Sequence, residues 1–168
     1  MKKHFIMAAL IATAMGSGLH FLYDLWPNIL TALISPVNES VWEHFKLLFW
    51  PTLLSAFFLT RRSDNPIGLW GAFFLVIPLM PLFLGGAYYL LSGGFALMAL
   101  PIDIGLYLIT MLLSFLLIYA LRNNKWIRKG AGYLLMLVIL YGAALILFTF
   151  AAPPLEIFTP PAQYLGIW

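Results

Sequence analysis

The residues of this sequence with the greatest chemical potential are two histidines, several carboxylates and one lysine. They stand near the ends of long apolar segments. Imidazole and carboxylate groups are suitable ligands for a divalent ion such as zinc. Without a metal, a histidine and a glutamate could act as general base and acid, with a lysine stabilising an oxyanion. We predict a metal site from His20, His44, Glu39 and Glu43, and catalytic roles for His20, Glu43, His44, Lys46 and Asp103. The spacing matches no established zinc motif such as HExxH.

A first polar stripe is predicted on the segment that ends near Tyr23. Thr13, Ser17, His20 and Asp24 recur at spacings of four, three and four, so a helix places them on one face. Close helix packing alone explains Thr13 and Ser17 equally well. His20, supported by Asp24, favours a functional site, because ionisable groups near a bilayer must be paired or hydrated.

A second polar set is the run Pro36 to Lys46, PVNESVWEHFK. Ser40 followed by Glu43 fits a helix capping box, which is a purely structural explanation. If the helix instead begins near Pro36, one face carries Glu39, Glu43 and Lys46, and the neighbouring face carries Ser40 and His44. Asn38 and Ser40 are then supporting residues. A structural ion pair between Lys46 and Glu43, Glu39 or Asp24 is the alternative.

A third stripe comprises Asp103, Tyr107, Thr110 and Ser114, again at helical spacing. Hydrogen bonding between helices by threonine and serine is the structural explanation. Asp103 is predicted at the same depth as His20 and Glu43, with Tyr107 as a supporting residue.

The segments that must position these groups are strongly apolar. Of 168 residues, 63% are hydrophobic and only 9% are charged, whereas soluble domains carry about 25% charged residues. Backbone amides in hydrocarbon must be satisfied within a segment, which requires helices. We predict one all-α domain over 1–168, an integral membrane bundle of five transmembrane helices at about 5–23, 41–60, 67–91, 99–121 and 128–151.

The basic residues predict the orientation. Eight of the nine lysines and arginines fall on one side of this topology, which by the positive-inside rule is the cytoplasm. The N-terminus is therefore predicted to be cytoplasmic and the C-terminus outside. The outer face then carries an amphipathic loop at 24–40, a proline-rich tail at 152–168 and nearly all the acidic residues. Because the basic residues occur in short clusters between apolar runs, the net charge of +3 indicates no nucleic-acid binding.

Two motifs, HFLYD at 20–24 and SPVNESVWEHFKL at 35–47, resemble those of a family of small bacterial integral membrane proteins of unknown function, frequent in Gram-positive organisms. The resemblance implies a multi-pass protein of the bacterial plasma membrane. It implies no activity.

Three classes of function fit these observations. The first is a metal-assisted or acid/base enzyme whose site opens to the outer leaflet and acts on a lipid or lipid-linked substrate. The second is a proton- or cation-coupled transporter or channel, in which five-helix subunits form a homo-oligomer. The third is a non-catalytic membrane assembly or sensory protein. The chain has no cysteine, so thiolate ligands and cysteine nucleophiles are excluded.

Overall fold

The structure, a computed structural model, describes residues 2–95, 97 and 99–161, and all regular elements in those ranges are helical. Asn65 and Asn124 cap two of the long helices, each accepting hydrogen bonds from backbone N–H groups of the first turn. The α-helices are α1 (Lys2–His20), α2 (Leu22–Leu25), α3 (Ile29–Ile34), α4 (Val41–Thr60), α5 (Pro66–Tyr89), α6 (Leu100–Leu121) and α7 (Lys125–Phe150). A π-helical turn, Leu90–Gly94, extends α5, and a 3-10 turn covers Glu156–Phe158.

Within the described residues, three helices are long and apolar enough to cross a membrane: α5 with its π-helical extension, α6 and α7. Since about 20 apolar residues span the hydrocarbon core, the protein has the helices of a membrane protein. Large apolar side chains also cover the outside of the bundle, for example Ile6, Leu10, Leu112, Leu116, Ile139 and Leu140. A surface of this kind suits lipid. The finer topology of five spans remains a prediction.

The centre of the bundle is α5, which contacts α4, α6 and α7. Its residues Ala72 and Phe73 are completely buried. On the other side of the bundle, α1 packs on α4 and α6. Gly16 of α1 permits this contact, because a Cβ atom there would lie 2.7 Å from the carbonyl oxygen of Leu47.

The connection between the first two long helices, residues 21–40, differs from the predicted loop; it is called the outer connection below, after the side on which it is predicted to lie. α1 ends at His20 rather than near Tyr23, because the chain turns at Phe21 into α2, and the segment 24–40 contains α3. α4 begins at Val41, with Ser40 as its N-cap. A helix start near Pro36 is therefore wrong, and Glu39 and Ser40 do not lie on a helical face with the residues that follow.

Two other boundaries differ by a few residues. The third predicted segment ends at 91, but the helix continues through the π-helical turn to Gly94, and α6 begins at Leu100, one residue after the predicted start of the fourth segment. The last long helix begins at Lys125, three residues before the predicted start. Part of the proline-rich tail packs on the bundle, since the ring of Phe158 lies 4.9 Å from that of Trp42. Residues 162–168 of the predicted tail lie outside the described residues.

Candidate metal centre

Three side chains from separate segments meet beside the C-terminal end of α1. Nε2 of His20 lies 3.1 Å from Nε2 of His44. Oε2 of Glu39 lies 3.7 Å from the first of these nitrogens and 3.4 Å from the second. We call His20, Glu39 and His44 the donor triad.

The size of this triangle suits a tetrahedral zinc ion. A tetrahedron with zinc bonds near 2.05 Å has edges of about 3.3 Å, close to the three observed separations. The circle through the three atoms has a radius of about 2.0 Å, so an ion slightly above their plane could reach all three at normal zinc distances. Two histidines and one glutamate form a ligand set known from catalytic zinc sites, in which water or substrate takes the fourth position.

Each member of the triad comes from a different kind of segment. His20 is the last residue of α1, Glu39 lies in the connection after α3, and His44 is in the first turn of α4. Ser40 caps α4, which places His44 one turn above the cap.

The second nitrogen of His44 is already bonded in the manner expected of a metal ligand. Its Nδ1 lies 2.8 Å from the carbonyl oxygen of Ser40. A carbonyl can only accept, so the hydrogen-bond network assigns the proton to Nδ1. When His44 is neutral, its Nε2 therefore carries a lone pair that can bind a metal, and when His44 is protonated, the Nε2–H donates to the Glu39 carboxylate instead. Hydrogen bonds of this kind orient metal-bound histidines and fix their tautomer.

His20 has fewer hydrogen bonds than His44. Its Nδ1 is buried and has no hydrogen-bond partner among the described residues. Without a metal, one of the two facing Nε2 atoms must carry a proton, since two bare lone pairs would repel each other. A cation at the centre of the triad would remove this repulsion and leave the proton to Nδ1.

The charge of Glu39 and the partial exposure of the triad are also typical of a ligand-binding site. The pKa of Glu39 lies below its ordinary value, first because His44 hydrogen-bonds its carboxylate, and the positive potential of both histidines adds to this effect. Glu39 is therefore ionised at neutral pH, as a metal ligand must be. The triad side chains are between 21% and 28% exposed, so one side is open to a ligand.

Asp103 belongs to the surroundings of this site. It lies on α6, a different helix from any that carries the triad, and close enough to His44 to act on it electrostatically. Asp24 acts on His20 in the same way, from an exposed position on α2. These two carboxylates make the neighbourhood of the histidines negative, which favours a cation.

Glu43 and Lys46 form a separate group. Their charged atoms are 2.6 Å apart, and the two side chains are 3% and 0% exposed. Their hydrogen bonds go to α3, the outer connection and α7, and among the described residues neither is bonded to a histidine. Glu43 is therefore no metal ligand in this arrangement, and Lys46 is too enclosed to reach a substrate.

The remaining predicted residues make structural hydrogen bonds. Asn38 accepts from the backbone N–H of Ser40 at 2.9 Å. The Ser40 hydroxyl accepts from the N–H of Glu43, but the Glu43 carboxylate is used elsewhere, so only half of the capping box forms. Tyr107 donates to the carbonyl oxygen of Thr13 at 2.9 Å and so joins α6 to α1.

Ser35 and Thr149 were not predicted to belong to the polar cluster. Ser35 is fully buried and bonded on both sides of His20. Thr149 lies 3.1 Å from the Glu43 carboxylate, across 106 positions of sequence. No motif or residue spacing in the sequence predicts either contact.

The fold and the site together define an all-helical protein with membrane-type helices and a two-histidine, one-carboxylate cluster. The chain belongs to a family of unknown function, DUF6512, whose model matches residues 1–164. This agrees with the resemblance carried by the two outer motifs. No curated protein and no solved structure matches the chain significantly.

Proposed function

We propose that this protein is a metal-dependent enzyme of the bacterial plasma membrane, with His20, Glu39 and His44 holding a zinc ion near the outer face. The observation that carries the proposal is the donor triangle, whose edges match a tetrahedral site with one position left for water or substrate. If the protein has the predicted five-span topology with the N-terminus in the cytoplasm, the triad lies on the outer side.

A zinc ion held by the triad would assist a reaction in two ways. It would polarise a carbonyl or phosphoryl oxygen, and it would lower the pKa of a bound water molecule to near 7. Asp103 is a candidate for an acid/base partner, since it acts electrostatically on His44 from α6.

The surface beside the triad supports a lipid or lipid-linked substrate. The Phe21 ring lies 5.1 Å from the His20 ring and is mostly exposed. The polar groups of the following turn are satisfied internally, because the Asn28 side chain and the Thr31 hydroxyl both bond to the carbonyl oxygen of Trp26. Several large apolar side chains are exposed on and beside α2 and α3: Phe21, Leu25, Trp26, Ile29 and Leu30. Such a surface suits the boundary between headgroups and acyl chains.

The metal content of purified protein tests this proposal. We expect about one zinc per chain in the wild type and a loss of bound metal in His20→Ala and His44→Ala, because two remaining ligands hold zinc weakly. His4→Ala is the matched control, since His4 is exposed at the opposite end of α1. Metal that is absent from the wild type, or equally present in all variants, would contradict the site.

Turnover tests the enzymatic part. Zinc-loaded protein in detergent should hydrolyse an ester or phosphoester in a lipid extract, and the His20→Ala variant should not. Metal-free protein that instead carries a pH-dependent cation flux in liposomes would support the transport alternative and overturn the enzymatic one.

A further inference from the structure

A buried network beneath the donor triad links all three ligand-bearing segments. We infer that Ser35, Glu43 and Lys46 are positioning residues that hold His20 and Glu39 at metal-binding distance from His44. This inference rests on the proposed metal site. It replaces the catalytic roles predicted for Glu43 and Lys46.

Ser35 fixes the segment that carries His20. Its hydroxyl donates to the carbonyl oxygen of Leu19 at 2.5 Å and accepts from the backbone N–H of Tyr23 at 3.1 Å. These bonds lie on either side of His20, where α1 has ended and the chain turns. Ser35 has no exposed surface, so water does not compete for either bond.

Lys46 holds the end of α3. Its ammonium group donates to the carbonyl oxygens of Ala32 and Ser35, at 2.7 and 3.2 Å, and to the Glu43 carboxylate at 2.6 Å. All three of its protons therefore have acceptors. A positive charge at these carbonyls is also favourable, because they form the C-terminal end of a helix.

Glu43 holds the connection that carries Glu39. One oxygen accepts from the backbone N–H of Val37 at 2.9 Å as well as from Lys46, and the other lies 3.1 Å from the Thr149 hydroxyl. Val37 is two residues before Glu39. The network thus holds the chain on both sides of His20 and just before Glu39, while Glu43 itself adjoins His44 in α4.

The network is complete, which distinguishes it from a reactive site. Every charged oxygen and nitrogen of Glu43 and Lys46 has a hydrogen-bond partner. A catalytic acid or base would need a free hydrogen-bonding position and an opening towards the substrate. Residues that orient ligands without touching the metal typically change metal affinity by 10- to 100-fold when replaced.

The first test is Ser35→Ala, which deletes one hydroxyl. We expect zinc affinity, measured by chelator competition, to fall about 10- to 100-fold. The visible spectrum of the cobalt-substituted protein should change as well, because it reports the coordination geometry. A variant that only lost stability would show a lower unfolding temperature with the same affinity and the same spectrum below that temperature.

The second test is the double substitution Glu43→Gln with Lys46→Met. Removing both charges together leaves no unpaired ion, so the variant should fold even though a single change would strand a buried charge. It should show the same weakened metal binding as Ser35→Ala. Thr52→Val is the matched control: Thr52 is a fully buried residue of α4 that contacts Met80, and its loss should leave metal binding unchanged.

The outcomes separate this inference from the proposed function. If His20→Ala abolishes metal binding but Ser35→Ala and the double variant bind zinc like the wild type, the positioning inference is wrong and the metal site stands. If His20→Ala itself leaves metal binding unchanged, both are wrong.

Discussion

His44 illustrates how one residue acquires its role from its neighbours. A histidine in the first turn of a helix has no predetermined tautomer, but the Ser40 carbonyl 2.8 Å from Nδ1 selects one. The sequence showed that two histidines and a glutamate could meet. It could not show that their donor atoms form a triangle of zinc dimensions, because that depends on where α1 ends.

The coupling of Glu39 to His44 gives a prediction in metal-free protein. His44→Ala should raise the pKa of Glu39 towards its ordinary value, because its strongest stabilising partner is removed. Infrared titration of the carboxyl band, assigned with Glu39→Gln, would measure this. His4→Ala should leave that band unchanged, and an unchanged Glu39 pKa in His44→Ala would contradict the contact.

The same shift has a consequence for stability. A carboxylate whose pKa is lowered on folding stabilises the folded state above its ordinary pKa, and this contribution disappears as the pH falls through the lowered value. In the wild type the Glu39 contribution should therefore be lost only at acid pH, and in His44→Ala it should be smaller throughout.

At the scale of elements, the long helices were the most predictable part, since long apolar runs permit no other structure in hydrocarbon. The outer connection was the least predictable. α3 is only six residues long, too short to be stable alone. It is held by the Asn28 cap and by Lys46, which reaches it from another helix. No local pattern reveals the second of these contacts.

The contact of α1 with its neighbours gives a prediction with an internal control. Gly16→Ala should destabilise the protein by about 1 to 3 kcal/mol through overpacking, because a Cβ atom there would collide with Tyr107 and with the backbone of Leu47. Gly18→Ala, two residues along the same helix, meets nothing within 4 Å and should be neutral or slightly stabilising.

Thermal unfolding in detergent would compare the two variants. Equal unfolding temperatures would show that α1 does not pack as closely on α4 and α6 as described.

At the scale of the whole molecule, three helices of the described residues satisfy the length and composition of a membrane span, and two further long helices, α1 and α4, carry two of the triad ligands. The predicted five-span topology therefore depends on α1 and α4 crossing as well. Because α1 and α4 carry polar side chains, they do not meet the composition criterion that the other three long helices meet.

The chain contains no cysteine, so single cysteines can test the topology without background labelling. Asp24→Cys should react with a membrane-impermeant maleimide in intact cells, since Asp24 is exposed in the outer connection. Asn123→Cys, exposed in the turn before α7, should react only after the membrane is opened. Labelling of both positions from the same side would rule out the five-span arrangement.

The donor triad and its positioning network, apart from the contact with Thr149, lie within the first 46 residues. Protein chains are synthesised from the N-terminus, and their early parts can fold before the rest is made. Lys46 can therefore find its carbonyl acceptors in α3 once α4 has left the ribosome, before α5 to α7 have packed against it. The charge that looks most out of place in a bilayer would then be neutralised during insertion, and the later helices would close around a centre that is already assembled.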